Sequence, residues 1–198
     1  MLEIYLRPAY QKWLVNPVAT LIQRNLRQSA QIITLCAGVC GILSAIVLVG
    51  GFTYFAVCLL LISGYCDTLD GTIARIDNKT TPMGAVLDII TDRIVEFAII
   101  FALFTLNPAG HGFAALAMLG SILICVSSFL VVGIFTENTS QKSFHYSPGL
   151  MERAEAFIFF VIMMLKPNWF NGLAWLFSGL VFYTALVRIY QFYKIQKR

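Results

Sequence analysis

The chain has 198 residues, 59% of them hydrophobic and only 12% charged, with a formal net charge of +4. Soluble domains carry about a quarter charged residues, so this chain lacks the polar surface to cover itself in water, and a soluble globular protein is excluded. The small positive surplus suits anionic lipid headgroups and phosphorylated substrates and gives no sign of a nucleic-acid partner.

Residues 1–30 stand apart from the rest. Tyr5, Leu6, Tyr10, Trp13, Leu14, Pro17, Val18, Leu21 and Ile22 interleave with Arg7, Lys12, Arg24 and Arg27, a pattern that predicts an amphipathic juxtamembrane helix lying in the headgroup plane. No cleavable signal peptide is visible, because Glu3, Arg7 and Pro8 stand where an apolar core would be. A bilayer-crossing helix needs about 20 mostly apolar residues. Six such spans come next, at about Ile32–Gly50, Phe52–Arg75, Pro82–Leu106, Gly112–Phe135, Gly149–Leu165 and Phe170–Tyr193. The linkers are short and carry breakers, among them Gly50-Gly51 and Asn107-Pro108. The expected fold is therefore an all-α integral membrane domain of six transmembrane helices over residues 31–198, preceded by the interfacial helix of residues 1–30. Cys36, Cys40, Cys58, Cys66 and Cys125 read as small apolar packing residues.

Six spans put both termini on one side. Arg7, Lys12, Arg24, Arg27, Arg75, Lys79, Arg93, Lys142, Arg153, Arg188, Lys194, Lys197 and Arg198 then share that face, 13 of the 14 basic residues, with Lys166 opposite. The positive-inside rule makes that face cytoplasmic, as in a bacterial inner membrane.

Asp67, Asp70, Asp88 and Asp92 lie in the second and third spans, in segments otherwise built for lipid. A carboxylate at the centre of a bilayer helix costs about 2.5–3.5 kcal/mol even on a forgiving scale, so four together demand a compensating partner. Asp67, Asp70 and Ala74 are spaced i, i+3, i+7 and Gly84, Asp88 and Asp92 i, i+4, i+8, so each set makes a stripe on one helix face. The short link Ile76–Thr81 makes the two helices antiparallel neighbours whose stripes face each other. At 1.5 Å per residue Asp67 lies about 12 Å below Arg75, so the pocket opens toward the cytoplasm. Like charges so close call for cations, and hard oxygen ligands suit Mg²⁺, Mn²⁺ or Ca²⁺. Two such ions are a common device for phosphoryl chemistry. Gly71, Ala74 and Gly84 beside the stripes let a bulky ligand reach the backbone, or serve close helix crossing.

Together these residues read Asp67-x2-Asp70-Gly71-x2-Ala74-Arg75-x8-Gly84-x3-Asp88-x3-Asp92, eight fixed positions in 26 residues. This resembles the signature of the CDP-alcohol phosphotransferase family at each position and spacing. The resemblance implies that Asp67, Asp70, Asp88 and Asp92 ligate two divalent metal ions, Mg²⁺ or Mn²⁺, and that Asp92 is also the general base toward the acceptor hydroxyl. Asp67, Gly71, Ala74, Arg75 and Gly84 would meet the nucleotide donor, with Arg75 on its phosphates. It further implies a homodimer and direct displacement of CMP from CDP-diacylglycerol by a small alcohol.

The acceptor is read from the end of the motif and the residues just beyond it. Arg93-Ile94-Val95-Glu96-Phe97 differs from the S-F-G-x-A-P run of serine-using relatives, and Asp88-Ile89-Ile90-Thr91-Asp92-Arg93 is nearer to enzymes of the inositol-phosphate type than to the D-P-x-A-D-K of glycerol 3-phosphate users. Ala30-Gln31-Ile32-Ile33-Thr34 stands where relatives often have P-N-x-L-T. Arg93, Lys142, His145 and Arg153 are candidates for an acceptor phosphate, making a phosphorylated polyol, inositol phosphate or glycerol 3-phosphate, the expected acceptor. Glu96 reads as an outer support of Asp92 or a partner of a basic residue, His111 as a loop residue, and Arg188 as a snorkelling cation. The rival reading is a divalent-cation transporter, which would spread acidic residues through the bilayer depth; spans one, four and six hold none.

Overall fold

A computed structural model describes residues 10–26, 30–76, 81–135, 151 and 153–197, and among these every regular element is helical. A π-helical turn, Gln11–Val15, runs into α1, Asn16–Leu26. There follow α2, Ala30–Val49, α3, Thr53–Ile76, α4, Pro82–Leu106, and α5, Pro108–Ile134. The chain ends with α6, Arg153–Leu165, a 3₁₀ turn at Pro167–Trp169, and α7, Phe170–Gln196. The helices cluster into two compact units whose boundary falls inside α4, between Ala102 and Leu103.

In the first unit α2 and α3 form an antiparallel hairpin. Gly51, at φ +85°, makes the tight turn between them, a conformation that a side chain would strain. Buried hydroxyls stitch the pair: Ser44 donates to the Ala56 carbonyl and Ser63 to the Ala37 carbonyl, each at 2.7 Å. Small residues let α2 meet α4 closely, for a Cβ on Gly41 would stand 2.5 Å from a Val95 methyl. The π-helical turn and α1 together bury Val15 and Ala19 against Leu69 and Ile73 of α3 and Ile33 of α2. Their opposite face exposes Trp13 and Leu21. Tyr65 on α3 pins them further, donating to the Leu14 carbonyl at 2.9 Å.

In the second unit α5 packs along α7, with Phe160, Phe170, Phe177, Met118, Met163 and Met164 fully buried. Pro108 opens α5, and the Asn107 side chain caps it by accepting from the Gly110 N–H at 3.1 Å.

Four segments are long and apolar enough to cross a bilayer: Ala30–Val49, Thr53–Ile76, Pro108–Ile134 and Pro167–Lys194. The two remaining expected spans differ for separate reasons. With 25 residues α4 has the length, but Asp88, Asp92, Arg93 and Glu96 take it out of the uniformly apolar class. The 13 residues of α6 reach only about 20 Å, and residues 149, 150 and 152 of that expected span lie outside the described ones.

Candidate active site

The acidic residues sit at the ends of α3 and α4 that flank their short connection. Thr81 starts α4 by accepting the Gly84 N–H at 3.0 Å, and Pro82 supplies a first-turn φ at no hydrogen-bond cost. This fixes the direction in which Asp88 leaves its helix. On α3, Asp70 is buried and takes a short hydrogen bond from the Thr34 hydroxyl of α2. One carboxylate oxygen each from Asp67, Asp70 and Asp88 comes within 4.8 Å of the others.

This is a donor set of three hard oxygens, two of them half-buried and one buried, in surroundings that otherwise disfavour charge. Three like charges at that separation repel, and a divalent cation among them turns the repulsion into coordination. The residues present therefore fit a hard divalent ion.

Asp92 stands one turn beyond Asp88 on α4, about 6 Å along the helix, and is not among the three converging groups. An Arg93 nitrogen lies 4.0 Å from one of its oxygens, and another Arg93 nitrogen lies 2.7 Å from Glu96. Of the two readings of Glu96, the pairing with a basic residue is the one found. On α3 the Arg75 guanidinium folds back, donating to the Thr72 hydroxyl oxygen at 3.1 Å and standing 3.6 Å from where a Cβ on Gly71 would be. Ala74 is half-buried on the adjoining turn.

In the second unit Arg153 opens α6 with its guanidinium 5.3 Å from the centre of the Phe157 ring. Lys142 and His145 lie outside the described residues. Two expectations need correction there. Arg188 does not snorkel: it is 9% exposed, donates to the Cys125 carbonyl at 3.0 Å and to the Ser128 hydroxyl at 3.3 Å, and lies over Phe129. His111 is not a loop residue but a buried position of α5, stacked on Phe170 and hydrogen-bonded through Nδ1 with the Leu103 carbonyl at 2.8 Å.

Thr34 is the site residue that pattern reading passed over. A signal existed: Thr34 holds the threonine place of the P-N-x-L-T run from which the preceding residues depart.

The CDP-alcohol phosphatidyltransferase family profile matches residues 27–189. The chain belongs to this family. Inner membrane protein YnjF of Escherichia coli K12 is 30% identical over 98% of this chain and 96% of its own length. The phosphatidylinositol phosphate synthase of Corynebacterium glutamicum is 27% identical over 73% of this chain and 66% of its own. Crystal structures of the Mycobacterium tuberculosis phosphatidylinositol phosphate synthase share the fold at TM-score 0.74. One has CDP-DAG bound (20% identity, 91% of this chain and 94% of that one), and another is in complex with manganese and citrate (19%, 91% and 89%). The protein is thus a membrane-integral CDP-alcohol phosphatidyltransferase of phospholipid biosynthesis. Family membership sets aside the cation-transporter reading.

Proposed function

We propose that the enzyme moves the phosphatidyl group of CDP-diacylglycerol to the hydroxyl of a small phosphorylated polyol, inositol phosphate or glycerol 3-phosphate, releasing CMP. The observation that carries this reading is the convergence of Asp67, Asp70 and Asp88 within 4.8 Å, in a chain whose relatives include a phosphatidylinositol phosphate synthase. Asp67, Asp70, Asp88 and Asp92 would hold two divalent ions, Mg²⁺ or Mn²⁺. When bound, these supply the positive charge that binds the donor diphosphate and neutralises the departing CMP.

The chain's own groups do the rest. Asp92, a turn from the cluster, accepts the proton of the acceptor hydroxyl, whose oxygen then attacks the lipid-side phosphorus as the bond to CMP breaks. The small faces of Gly71, Ala74 and Gly84 admit the nucleotide, and Arg75 meets its phosphates. Arg153, with Lys142 and His145, receives the acceptor phosphate through charge-assisted hydrogen bonds. Residues 31–198 form this catalytic domain with six spans, residues 1–30 lie along the headgroups, and the enzyme works as a homodimer in a bacterial inner membrane. Both termini and the connection 136–148 face the cytoplasm, as the 13-to-1 split of basic residues requires.

The deciding experiment is CMP release from CDP-diacylglycerol with inositol phosphate, glycerol 3-phosphate, free inositol and serine supplied one at a time. Turnover with a phosphorylated polyol supports the proposal, and turnover with serine or a free alcohol alone overturns it. Arg153→Ala should raise the acceptor KM and leave the donor KM unchanged. For orientation, a cysteine introduced near Ala109 should be labelled from outside sealed cells and one near Gln141 spared; the reverse pattern overturns the topology.

A further inference from the structure

Two connections at one end of the second unit are built alike. Asn107 precedes Pro108 and Lys166 precedes Pro167, with a helical turn starting at each proline. The two leading residues adopt nearly the same backbone, φ −154° ψ 77° and φ −132° ψ 71°. Here a cleft of about 370 Å³ opens, lined by Leu106, Asn107, His111, Pro167, Asn168 and Asn171. That volume is in the range of small-ligand sites. The three asparagines are exposed, whereas His111 is buried.

The His111 ring is fixed on two sides. Its face stacks on the buried Phe170 ring, 4.2 Å between centroids, and Nδ1 lies 2.8 Å from the Leu103 carbonyl. A carbonyl oxygen only accepts, so Nδ1 carries the hydrogen, and in the neutral ring Nε2 presents a bare lone pair. Among the described residues nothing donates to that lone pair. Asn107 commits Oδ1 to the Gly110 N–H and keeps the two hydrogens of Nδ2 as donors. The Asn168 and Asn171 carboxamides make no hydrogen bond among the described residues. None of the lining groups is a carboxylate, an ammonium or a guanidinium. The cleft thus offers carboxamides, which both donate and accept, and one ring nitrogen that only accepts. A hydroxyl suits both, because it donates one hydrogen and accepts at two lone pairs. An anion would be repelled by the Nε2 lone pair, and a hard cation would find no counter-charge.

We propose that this cleft is a binding site for an uncharged polyhydroxylated group, with one hydroxyl donating to Nε2 of His111. The group is a free polyol or the sugar or polyol headgroup of a lipid, which share this chemistry. The site is separate from the transfer reaction proposed above. On the topology proposed there, this end faces away from the cytoplasm, so the ligand comes from the outer solution or the outer leaflet.

The chain holds two histidines, His111 and His145, so nitrogen NMR of the full enzyme labelled at histidine reads the site directly. His145→Gln identifies the His111 signals. The enzyme is held in phosphatidylcholine nanodiscs at about pH 8, where an ordinary imidazole is neutral. Without ligand, Nδ1 should give the protonated signal and Nε2 the unprotonated one. Sorbitol should move the Nε2 resonance saturably and leave Nδ1 protonated. A minor share of monoglucosyl diacylglycerol in the nanodisc, in place of sorbitol, separates the sources. A shift with the lipid assigns the site to a headgroup, and a shift with sorbitol alone assigns it to a soluble polyol. Asn168→Ala with Asn171→Ala should weaken binding about tenfold, the loss expected for two net hydrogen bonds, with CMP release unchanged. If the double variant does not fold, each single one carries the test with a smaller loss. A ring protonated on Nε2, no shift with either probe, or binding undiminished in the asparagine variants overturns the proposal.

Discussion

Arg188 on α7 and Asp70 on α3 are both more than nine-tenths buried, at 9% and 5% exposure, and the chain surrounds them in opposite ways. Around Arg188 it places a carbonyl, a hydroxyl and the face of an aromatic ring, all from α5. Each is neutral and electron-rich, so the protein itself supplies the cation's partners through Nη1 and the ring face, and the arrangement binds α7 to α5. Around Asp70 it places two neutral donors, the Thr34 hydroxyl and the Gly71 backbone N–H, and then two more carboxylates. Neighbours of the same sign raise the energy of the site instead of lowering it, and a cation from outside would complete it. The sign of the surroundings thus separates a buried charge that serves the fold from one that serves a ligand.

The largest effect expected from this contrast is on metal dependence. Excess EDTA should abolish CMP release, with Mg²⁺ or Mn²⁺ restoring it, and Asp70→Asn should cut kcat about a hundredfold or more, because metal charge is worth several kcal/mol in such a transition state. Undiminished turnover in chelator would break the comparison at its root. Next, Asp92→Asn should strongly reduce turnover and leave CDP-diacylglycerol binding measurable, while Asp67→Asn should weaken metal-dependent donor binding as well. Equal loss of donor binding in both would merge the two roles.

On the other side of the comparison, Arg188→Met removes a charged donor from the Cys125 carbonyl and the Ser128 hydroxyl and should cost about 1–3 kcal/mol of stability, read as a lower melting temperature in detergent. An unchanged melt would mean that the guanidinium does not serve the fold. Gly41→Ala tests how closely α2 must approach α4, since the added carbon meets two Val95 methyls at 2.5 and 2.6 Å. Overpacking of that kind costs about 1–3 kcal/mol and should lower the melting temperature and impair metal-dependent activity together. The smallest effect belongs to Ser63→Ala, which removes one interhelical hydrogen bond, worth about 0.6 kcal/mol in membrane proteins; the melt should shift slightly with kcat intact.

The sequence revealed what depends on spacing within one helix. The stripes Asp67–Asp70 and Gly84–Asp88–Asp92 follow from helical periodicity alone, and the short link between α3 and α4 was enough to expect them face to face. The family signature spans the same residues. What depends on contacts between distant segments was not legible. The hydrogen bond between Thr34 and Asp70 joins residues 36 apart, and no periodicity marks it. The depth of Arg188 depends on how α7 is rotated against α5, which packing decides. Length and hydropathy pick out four of the expected spans among the described residues; α4 does not join them, because the carboxylates that announce the site also remove the apolar character by which a span is recognised.

The α2–α3 hairpin has a consequence for how the protein is made. Its turn at Gly51 is tight, and Ser44, Ser63 and Thr34 link its two arms at three heights. A pair of helices whose buried hydroxyls and innermost acid find partners within the pair can enter the bilayer as one body, with little exposed polarity to carry through lipid. Asp67 and Asp70 arrive with that hairpin, but Asp88 comes only with α4, the next segment to leave the ribosome. The third carboxylate is therefore added when α4 docks, so a divalent ion could be taken up by the nascent chain only after that step, while α5 to α7 are still to come.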